Sequence, residues 1–480
     1  MNLRMVFYTT GRIVLFEALM LMLPAVVSLI YGESCFYAFL IAVFVAAVLG
    51  GILFFAAKPK DSVIYAKEGF LTVALAWITL SAIGALPFTI SGEIPSYIDS
   101  FFETVSGFTT TGASILTDVE AMSHGLLFWR SFTHWVGGMG VLVFVMAVIP
   151  DMSDRSIHIM RAEMPGPIIG KLVPKVKETA KILYLIYIVM TLVQILFLLF
   201  GGMSLFDSLV HAFGTAGTGG FGIKADSVTS YSPYLQWVIA IFMLIFGVNF
   251  NLYYLILVKR IKSAVTSTEL WVYVLIVGAS TLAITVNILP IVGTVGDSIR
   301  TALFQVSSII TTTGYATADF NLWPGFSKGI LLILMFIGGC AGSTAGGLKV
   351  SRVIILFKMI RGEIKRMIHP RSVSVVRFEG KQLEENTLGS VSLYFAIYMV
   401  CFFAVFLLLC FEPFDMETNF TAAASCFNNV GPGLGGVGPM SSYAAYSPFS
   451  KLLLSFAMLL GRLEIFPLII ALSPSTWAKK

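Results

Sequence analysis

Long apolar runs alternate with short polar segments along most of this chain. Ten runs are dominated by Leu, Ile, Val, Phe and Ala: Val14–Ile30, Phe36–Ala57, Phe70–Ile90, Val136–Ile149, Ile182–Phe200, Trp237–Val258, Trp271–Leu289, Gly329–Ile337, Val391–Phe411 and Leu452–Leu472. Most are close to the roughly 20 residues with which a helix crosses about 30 Å of hydrocarbon. The pattern predicts an all-α integral membrane protein with ten spans, two of which are short or interrupted.

The composition favours a bilayer over water as the solvent. Of the 480 residues, 57% are hydrophobic and 12% are charged, whereas soluble domains carry about 25% charged residues. The first apolar run lacks a small-residue cleavage site, so we expect a retained span and no signal peptide. The five cysteines are odd in number and lack CxxC spacing, which indicates neither a disulfide framework nor a zinc site.

Basic and acidic residues occupy alternate connections between the runs. The basic connections contain Arg4 and Arg12; Lys58, Lys60 and Lys67; Arg155 to Lys181; Lys259, Arg260 and Lys262; Lys358 to Lys381; and Lys479 and Lys480. The other connections carry mainly acids: Glu33; Glu93, Asp99, Glu103, Asp118 and Glu120; Asp207 and Asp226; Asp297 and Asp319; Glu412, Asp415 and Glu417. The positive-inside rule places the basic set and both termini in the cytoplasm. Orientation explains these charges, so we expect no nucleic-acid partner.

Four acidic connections each contain a stretch rich in Gly and Thr or Asn. These stretches read TTTGAS (109–114), GTGGFG (217–222), TTTGYA (311–316) and NNVGPG (428–433). Aligned on Gly112, Gly219, Gly314 and Gly431, they are separated by 107, 95 and 117 residues. A regular spacing of this kind indicates an internal repeat. Ordinary interhelical turns are the competing interpretation.

A short apolar segment with a polar start precedes each glycine-containing loop. These segments are Asp99–Phe108, Asp207–Phe213, Asp297–Ile310 and Glu417–Phe427. They are too short to span a bilayer but long enough for re-entrant half-helices. One repeat therefore reads span, half-helix, loop, span. We expect two N-terminal helices (1–60) and four repeats at residues 65–150, 175–260, 270–360 and 386–480.

Four such loops could meet on one pseudo-fourfold axis and form a filter for cations. Non-helical backbone is tolerated at membrane depth where it lies inside protein or lines a cavity. Rings of backbone carbonyls there can replace a cation's hydration shell, and glycine permits the required backbone angles. The predicted filter residues are Thr110, Thr111, Gly112, Thr218, Gly219, Gly220, Thr312, Thr313, Gly314, Asn429, Val430 and Gly431.

With these motifs, the chain resembles the TrkH branch of the Trk/Ktr/HKT superfamily of potassium transport proteins. The resemblance covers essentially the whole chain, and the two extra N-terminal spans favour this branch. It implies potassium as the substrate, since sodium-preferring members carry serine where this chain has Gly112. Potassium is then the only metal expected, and no cofactor is expected. It also implies a bacterial cytoplasmic (inner) membrane location, a homodimer, and a TrkA-like cytosolic ring of nucleotide-binding subunits.

The eighth span is interrupted by the run GGCAGSTAGGLK (338–349). Each glycine costs about 1 kcal/mol in a helix relative to alanine, so we expect a break at membrane depth. The resemblance implies an intramembrane loop that gates the pore, with Arg462 as a positive barrier beside it. The predicted gate residues are Gly338, Gly339, Gly342, Ser343, Thr344, Gly346, Gly347, Lys349 and Arg462.

Several alternatives stay open at this point. The glycines of the run could serve close helix packing, and Arg462 could bind an acid or backbone carbonyls. Lys349 and Arg352 are expected to face the cytoplasm, and Arg130 has no assigned role. The cytoplasmic loops Asp151–Thr179 and Lys358–Asn386 are candidate docking sites.

A proton- or sodium-coupled secondary transporter is the competing function. It requires acids within the spans, and Glu464 and Glu17 are the candidates. An enzyme is not expected, because no cluster of nucleophile, base or metal ligands is evident. The GxGxxG match at 217–222 lacks a βαβ context, so it does not indicate dinucleotide binding.

Overall fold

A computed structural model of the chain describes residues 2–59, 66–140, 176–371 and 375–477. Parts of the sequence predictions lie outside these residues. They are the end of the predicted span Val136–Ile149, most of the loop Asp151–Thr179, and the basic residues Lys60, Lys479 and Lys480.

The first two predicted spans form an antiparallel helical hairpin. Its helices are Leu3–Tyr31 and Cys35–Ala56. A Cβ added at Gly11 or Gly50 would lie within 3.0 Å of the opposite helix, so these glycines allow the close approach that small residues provide in membranes. Glu33, in the hairpin turn, accepts hydrogen bonds from the backbone N–H groups of His124 (2.7 Å) and Gly125 (3.0 Å). The hairpin is thereby attached to the first repeat.

The order of helix, half-helix, glycine-containing loop and helix predicted from the sequence is present four times in the described residues. The first helices of the units are Ala66–Gly84 with its continuation Leu86–Ser91, Val176–Phe200, Thr268–Val292 and Glu385–Leu409. The half-helices, which we call the pore helices, are Tyr97–Phe108, Leu205–Ala216, Val295–Ile310 and Met416–Asn428. All four pore helices coincide with the predicted short segments to within three residues.

The helix after each filter loop is too short to span a bilayer by itself. These post-filter helices are His124–Gly138, Pro233–Phe246, Gly325–Ile337 and Pro448–Arg462, of 15, 14, 13 and 15 residues. At 1.5 Å per residue they extend about 20–22 Å. Each packs against the pore helix of the following repeat, and the fourth packs against that of the first. The four repeats therefore close into a ring.

In the second, third and fourth repeats, the post-filter helix ends at a break. The chain continues as Phe250–Leu257 in the second repeat, Val350–Ile368 in the third and Phe466–Leu472 in the fourth. The remaining elements are helices Ile261–Val265 and Pro474–Trp477, the 3₁₀ turns Phe320–Leu322 and Gly435–Val437, and a β-hairpin of Arg377–Phe378 and Lys381–Gln382.

The prediction of unbroken helices over Trp237–Val258 and Leu452–Leu472 is wrong. Among the described residues, six helices are long and apolar enough to cross a membrane, or seven if a pair bent by 88° counts as one span. That pair breaks before Asn249, whose side chain caps the second half by accepting from the N–H of Asn251 (3.0 Å). In the fourth repeat, Glu464 and Ile465 have φ of 54° and 67°. Apolar flanks conceal both breaks from hydropathy.

Candidate functional site

The four pore helices begin and end in the same way. Each is capped by a side chain that accepts a hydrogen bond from the N–H three residues on, and the caps are Ser96, Ser204, Thr294 and Asp415. Each also carries an acid in its first turn, which suits the positive end of a helix dipole. The C-terminal end of each helix leads directly into a filter loop. The negative ends of four helix dipoles therefore adjoin the loops.

The four filter loops share one backbone conformation. In each, two residues separated by one have positive φ: Thr110 and Gly112, Thr218 and Gly220, Thr312 and Gly314, Asn429 and Gly431. The first member of each pair has φ between 54° and 56°, and the second between 77° and 101°. The residue between them donates its N–H to the carbonyl five residues earlier, at 2.8–2.9 Å. One turn is thus repeated four times.

This conformation corrects the alignment of the second repeat. The sequence alignment matches Gly219 with Gly112, Gly314 and Gly431, but the structural equivalent of those glycines is Gly220. Gly219 occupies the middle position instead, where it donates to the carbonyl of Gly214 at 2.8 Å. Because GTGGFG contains two adjacent glycines, residue identity alone could not fix the register.

The equivalent glycines bring the loops together in a closed ring. A Cβ added to Gly112 would lie within 3.0 Å of the Gly219 carbonyl oxygen, and one on Gly220 equally close to that of Thr313. In the same way Gly314 faces the Val430 oxygen, and Gly431 faces the oxygen of Thr111. The contacts run from repeat one to two, three, four and back to one. Glycine is required at these positions both by φ and by the absence of space.

A cavity of about 320 Å³ adjoins this ring. Its lining contains all four equivalent glycines, Gly112, Gly220, Gly314 and Gly431. The four loops contain no charged residue, so their polar groups are backbone and neutral side chains. Four equivalent carbonyls around one axis can bind a monovalent cation that has lost part of its water.

Side chains fix the loops from behind. The hydroxyls of Thr109 and Thr111 lie 2.8 Å apart, and Asn429 donates its side-chain amide to Thr111 Oγ1 at 2.9 Å. On the fourth loop, the Gly431 carbonyl accepts from Tyr443 Oη (2.8 Å) and from Ser425 Oγ (2.6 Å). These bonds hold the backbone geometry without placing a charge in the filter.

A buried ion pair lies within the first repeat and contacts the second repeat through Arg130, and it was missed by the sequence analysis. Arg130 Nε lies 2.5 Å from Glu103 Oε1, and these side chains are 4% and 0% exposed. Arg130 also donates to the carbonyl of Gly222 (3.1 Å), and its guanidinium lies 3.7 Å from the ring centre of Phe221. Glu103 accepts from the N–H of Ile115 at 3.0 Å. A charge within the apolar sequence around Arg130 was the available signal.

The interrupted span forms a loop that contacts the third filter loop. We call residues 338–349 the intramembrane loop. Gly346 donates its N–H to Thr312 Oγ1 at 2.6 Å, on the third filter loop. Cys340 N–H and Thr344 Oγ1 donate to carbonyls at the break of the second repeat, those of Gly247 (3.0 Å) and Phe246 (3.3 Å). The loop therefore contacts both a filter loop and a neighbouring break.

Arg462 lies beside the intramembrane loop. Its guanidinium donates to the Thr344 carbonyl at 2.9 Å, and to the carbonyls of Gly137 and Gly138. The last two end a post-filter helix, where the helix dipole favours a cation. The location agrees with the role implied by the resemblance, and the bonds to carbonyls agree with the structural alternative. The structure is therefore compatible with either role of Arg462.

The expectation that Lys349 and Arg352 face the cytoplasm is wrong. Their side chains are buried, with 2% and 5% of their surface exposed. Lys349 donates to the carbonyl of Ala345 within the intramembrane loop. Arg352 pairs with Glu464 (Nη1 to Oε1, 2.9 Å) and lies 4.0 Å from the ring centre of Tyr394. The cost of burying the Arg352 charge is offset by its pairing with Glu464. The two residues are 112 positions apart in the sequence, so the pair is not evident from the sequence.

The family is decided by comparison with known proteins. The model of the TrkH family, described as a cation transport protein, matches residues 36–479 of the chain. The chain belongs to the TrkH family. Among its relatives, the Trk system potassium uptake protein TrkH of Salmonella typhimurium is 37% identical, over 99% of this chain and 100% of that protein. The protein of the same name from Escherichia coli K12 is 36% identical over the same shares.

A solved TrkH structure has the same fold. The crystal structure of the potassium transporter TrkH from Vibrio parahaemolyticus aligns with a TM-score of 0.90 and 32% sequence identity, covering 100% of both chains. The match confirms the all-α membrane architecture of the TrkH family for this chain.

Proposed function

We propose that this chain is the ion-conducting subunit of a potassium uptake system in the bacterial cytoplasmic membrane. The observation that carries the proposal is the closed ring formed by Gly112, Gly220, Gly314 and Gly431 with the carbonyls of the neighbouring loops. A ring of neutral oxygens suits a weakly hydrated monovalent cation. The relatives named as potassium uptake proteins supply the choice of potassium over other such cations.

In this mechanism, potassium enters from the outer side through the cavity beside the ring. It exchanges water for carbonyl oxygens of the filter residues, and the C-terminal ends of the pore helices stabilise its charge. Because no carboxylate binds the ion, it can leave again quickly, as conduction requires. Potassium then moves down its electrochemical gradient into the cell. The alternation of basic and acidic connections supports this orientation, with both termini in the cytoplasm.

The intramembrane loop is the proposed gate of this pathway. Its contacts with Thr312 and with the break at Phe246 place it next to the filter. Its length and its glycines permit a second conformation that a continuous helix would not have. Arg462, which donates to this loop, adds a positive charge that would repel a cation while the loop is closed.

We extend the proposal to partners. In the segment Lys358–Asn386, the basic residues Arg361, Lys365, Arg366 and Lys381 are exposed. We propose this segment as a docking site for a TrkA-like cytosolic ring. Homodimerisation and this ring are features of the family that we propose for the chain.

Coupled transport remains the second candidate, and one residue favours it. Glu17 is 0% exposed, and among the described residues its carboxylate oxygens have no hydrogen-bond partner. A buried carboxyl of this kind could bind a proton. It lies beside Gly84, behind the first pore helix, and not in the filter ring.

Ion flux into liposomes containing the purified protein tests the proposal. We expect potassium to enter faster than sodium, and the difference to shrink in Gly112→Ser, because the new side chain meets the Gly219 carbonyl. The chain without residues 342–347 serves as an open control. If neither form moves a monovalent cation, the channel proposal is wrong. If flux depends on a pH gradient and Glu17→Gln removes that dependence, coupled transport replaces it.

A further inference from the structure

Glu269 binds both ends of the intramembrane loop. This residue lies in the first turn of helix Thr268–Val292 and is 4% exposed. Its Oε1 atom accepts hydrogen bonds from the N–H of Ala341 (2.7 Å) and from the N–H of Ser351 (3.1 Å). Ala341 lies near the start of the loop, and Ser351 in the first turn of the helix that follows it. One oxygen therefore ties the entry of the loop to its exit.

A second carboxylate binds the segment that carries Glu269. Glu379 is in the turn of the β-hairpin, where it and Gly380 have φ of 49° and 73°, the signs required by a two-residue hairpin turn. Its Oε1 atom accepts from Ser267 Oγ (3.1 Å) and from the N–H of Glu269 (3.0 Å). The start of a helix favours a carboxylate there. The hairpin thus stabilises the position of Glu269.

The hairpin is anchored on one side and accessible on the other. Phe378 and Leu383 are buried, at 6% and 7% exposure, in a cluster that includes Val350, the first residue after the intramembrane loop. The turn residues Glu379 and Gly380 are exposed. A partner can therefore reach the turn, and a movement of the turn acts on the groups that contact the loop.

We infer that Glu379 and Glu269 form a latch that keeps the intramembrane loop closed, with Glu269 as the positioning residue and the hairpin turn as its control point. The inference rests on the proposed function, because a latch on the loop can affect ion flux only if the loop gates the pore. Removing Glu379 frees the N–H of Glu269 and the hydroxyl of Ser267, and weakens the two bonds from Glu269 to the loop. The closed state then loses stability relative to the open one.

Cys340 provides a readout located in the loop itself. It is 0% exposed, and it adjoins Ala341. In a background where the other four cysteines are replaced by serine, the rate at which a maleimide modifies Cys340 reports how often the loop opens. We would measure this rate in purified protein, and potassium flux in liposomes, for Glu379→Ala. We expect both rates to rise by at least roughly tenfold, because losing even one of the two hydrogen bonds to the Glu379 carboxylate has about that effect.

Two further variants separate the latch from a general loss of structure. Glu379→Gln keeps an acceptor oxygen, so it should raise the labelling rate less than Glu379→Ala does. Glu384→Ala is the matched control, because Glu384 lies in the same segment, next to helix Glu385–Leu409, and its side chain makes no capping bond to that helix. It should behave like the parent.

The outcomes distinguish this inference from the proposed function. If Glu379→Ala leaves Cys340 labelling at the parent rate, or if Glu384→Ala raises it equally, the latch is wrong, even when potassium flux is normal. If the chain without residues 342–347 moves no potassium, the proposed function fails. The labelling rates still decide whether Glu379 controls the loop.

Discussion

The filter loops repeat one arrangement four times, whereas the described helix breaks, in the second, third and fourth repeats, differ from one another. Every filter loop has the same pair of positive φ angles and the same contact with its neighbour. The breaks in the second and fourth repeats are short, whereas the break in the third repeat is the long loop from Gly338 to Lys349. A ring of ligands needs four equal parts, whereas one extended segment is enough to obstruct a pore. In the proposed mechanism, selectivity would therefore depend on the repetition of the loops, and gating on the departure of one break from it.

The largest expected effect comes from the register of the second loop. Gly220→Ala should abolish selective potassium flux, because its Cβ meets the Thr313 carbonyl, which is backbone and cannot be truncated. Gly219→Ala collides instead with the ring of His134. The double variant Gly219→Ala/His134→Ala should therefore recover part of the flux. Flux and the potassium-to-sodium ratio in liposomes would be measured.

The control for this comparison is Gly220→Ala combined with His134→Ala. It should stay as inactive as Gly220→Ala alone, since His134 is not the group that Gly220 faces. Equal rescue of both glycine variants would show that the two positions are equivalent, and would contradict the fourfold register.

The ion pair behind the filter should have the next largest effect, on stability. Arg130→Ala leaves Glu103 as a buried charge without its partner, and breaking a buried pair costs about 3–5 kcal/mol. We expect a clear fall in the thermal unfolding midpoint of the detergent-solubilised protein. Glu103→Gln/Arg130→Met removes both charges and should recover most of it.

A matched control exists at the surface. The Lys181–Glu178 pair (3.5 Å) has side chains 49% and 51% exposed, so Lys181→Ala should leave the midpoint nearly unchanged. If Arg130→Ala behaved like Lys181→Ala, the buried pair would not stabilise the protein.

The repeat and the pore helices could be predicted from the sequence because they depend on local signals. A polar cap, an acid in the first turn and a run too short to span mark each pore helix, and glycine marks each loop. The run from Gly338 to Lys349 is likewise visible, since glycines are costly in a helix. These features are encoded within stretches of about 20 residues.

The features that sequence reasoning missed depend on distant residues. Gly219 and Gly220 are indistinguishable until a neighbouring carbonyl selects one of them. The breaks at Asn249 and Ile465 lie between apolar flanks, so hydropathy reports a continuous span. Lys349, placed at the cytoplasm by its position at the end of the loop, is buried because the loop turns back on itself. Such outcomes follow from tertiary packing and not from composition.

The next prediction concerns Arg462, at the end of the fourth post-filter helix, where it contacts the intramembrane loop. Arg462→Ala should raise potassium flux several-fold, because it removes both a positive charge and the bond to Thr344. Arg462→Lys separates the two causes, since lysine keeps the charge but lacks the forked donors of arginine. If charge is the barrier, the lysine variant should conduct as little as the parent. If the hydrogen bonds to carbonyls are what closes the pore, the potassium flux of the lysine variant should rise as it does in the alanine variant. No change in either variant would remove Arg462 from the gate.

The smallest expected effect concerns two ion pairs that join the start of a post-filter helix to the pore helix of the following repeat. Lys451 contacts Asp99 at 2.7 Å between repeats four and one, and Lys328 contacts Glu417 at 3.1 Å between repeats three and four. Each lysine is the fourth residue of its post-filter helix. The Lys451 side chain is 8% exposed and that of Lys328 is 25%, so Lys451→Ala should cost about 1–2 kcal/mol and Lys328→Ala less than about 1 kcal/mol.

Double-mutant cycles with Asp99→Asn and Glu417→Gln would isolate each pair's own contribution to the unfolding midpoint. A larger coupling for the first pair is expected, because water screens the second. Equal coupling energies would mean that the difference in burial does not affect the strength of the two ion pairs. The side-chain contacts between repeats would then be as similar as the backbone contacts of the filter loops.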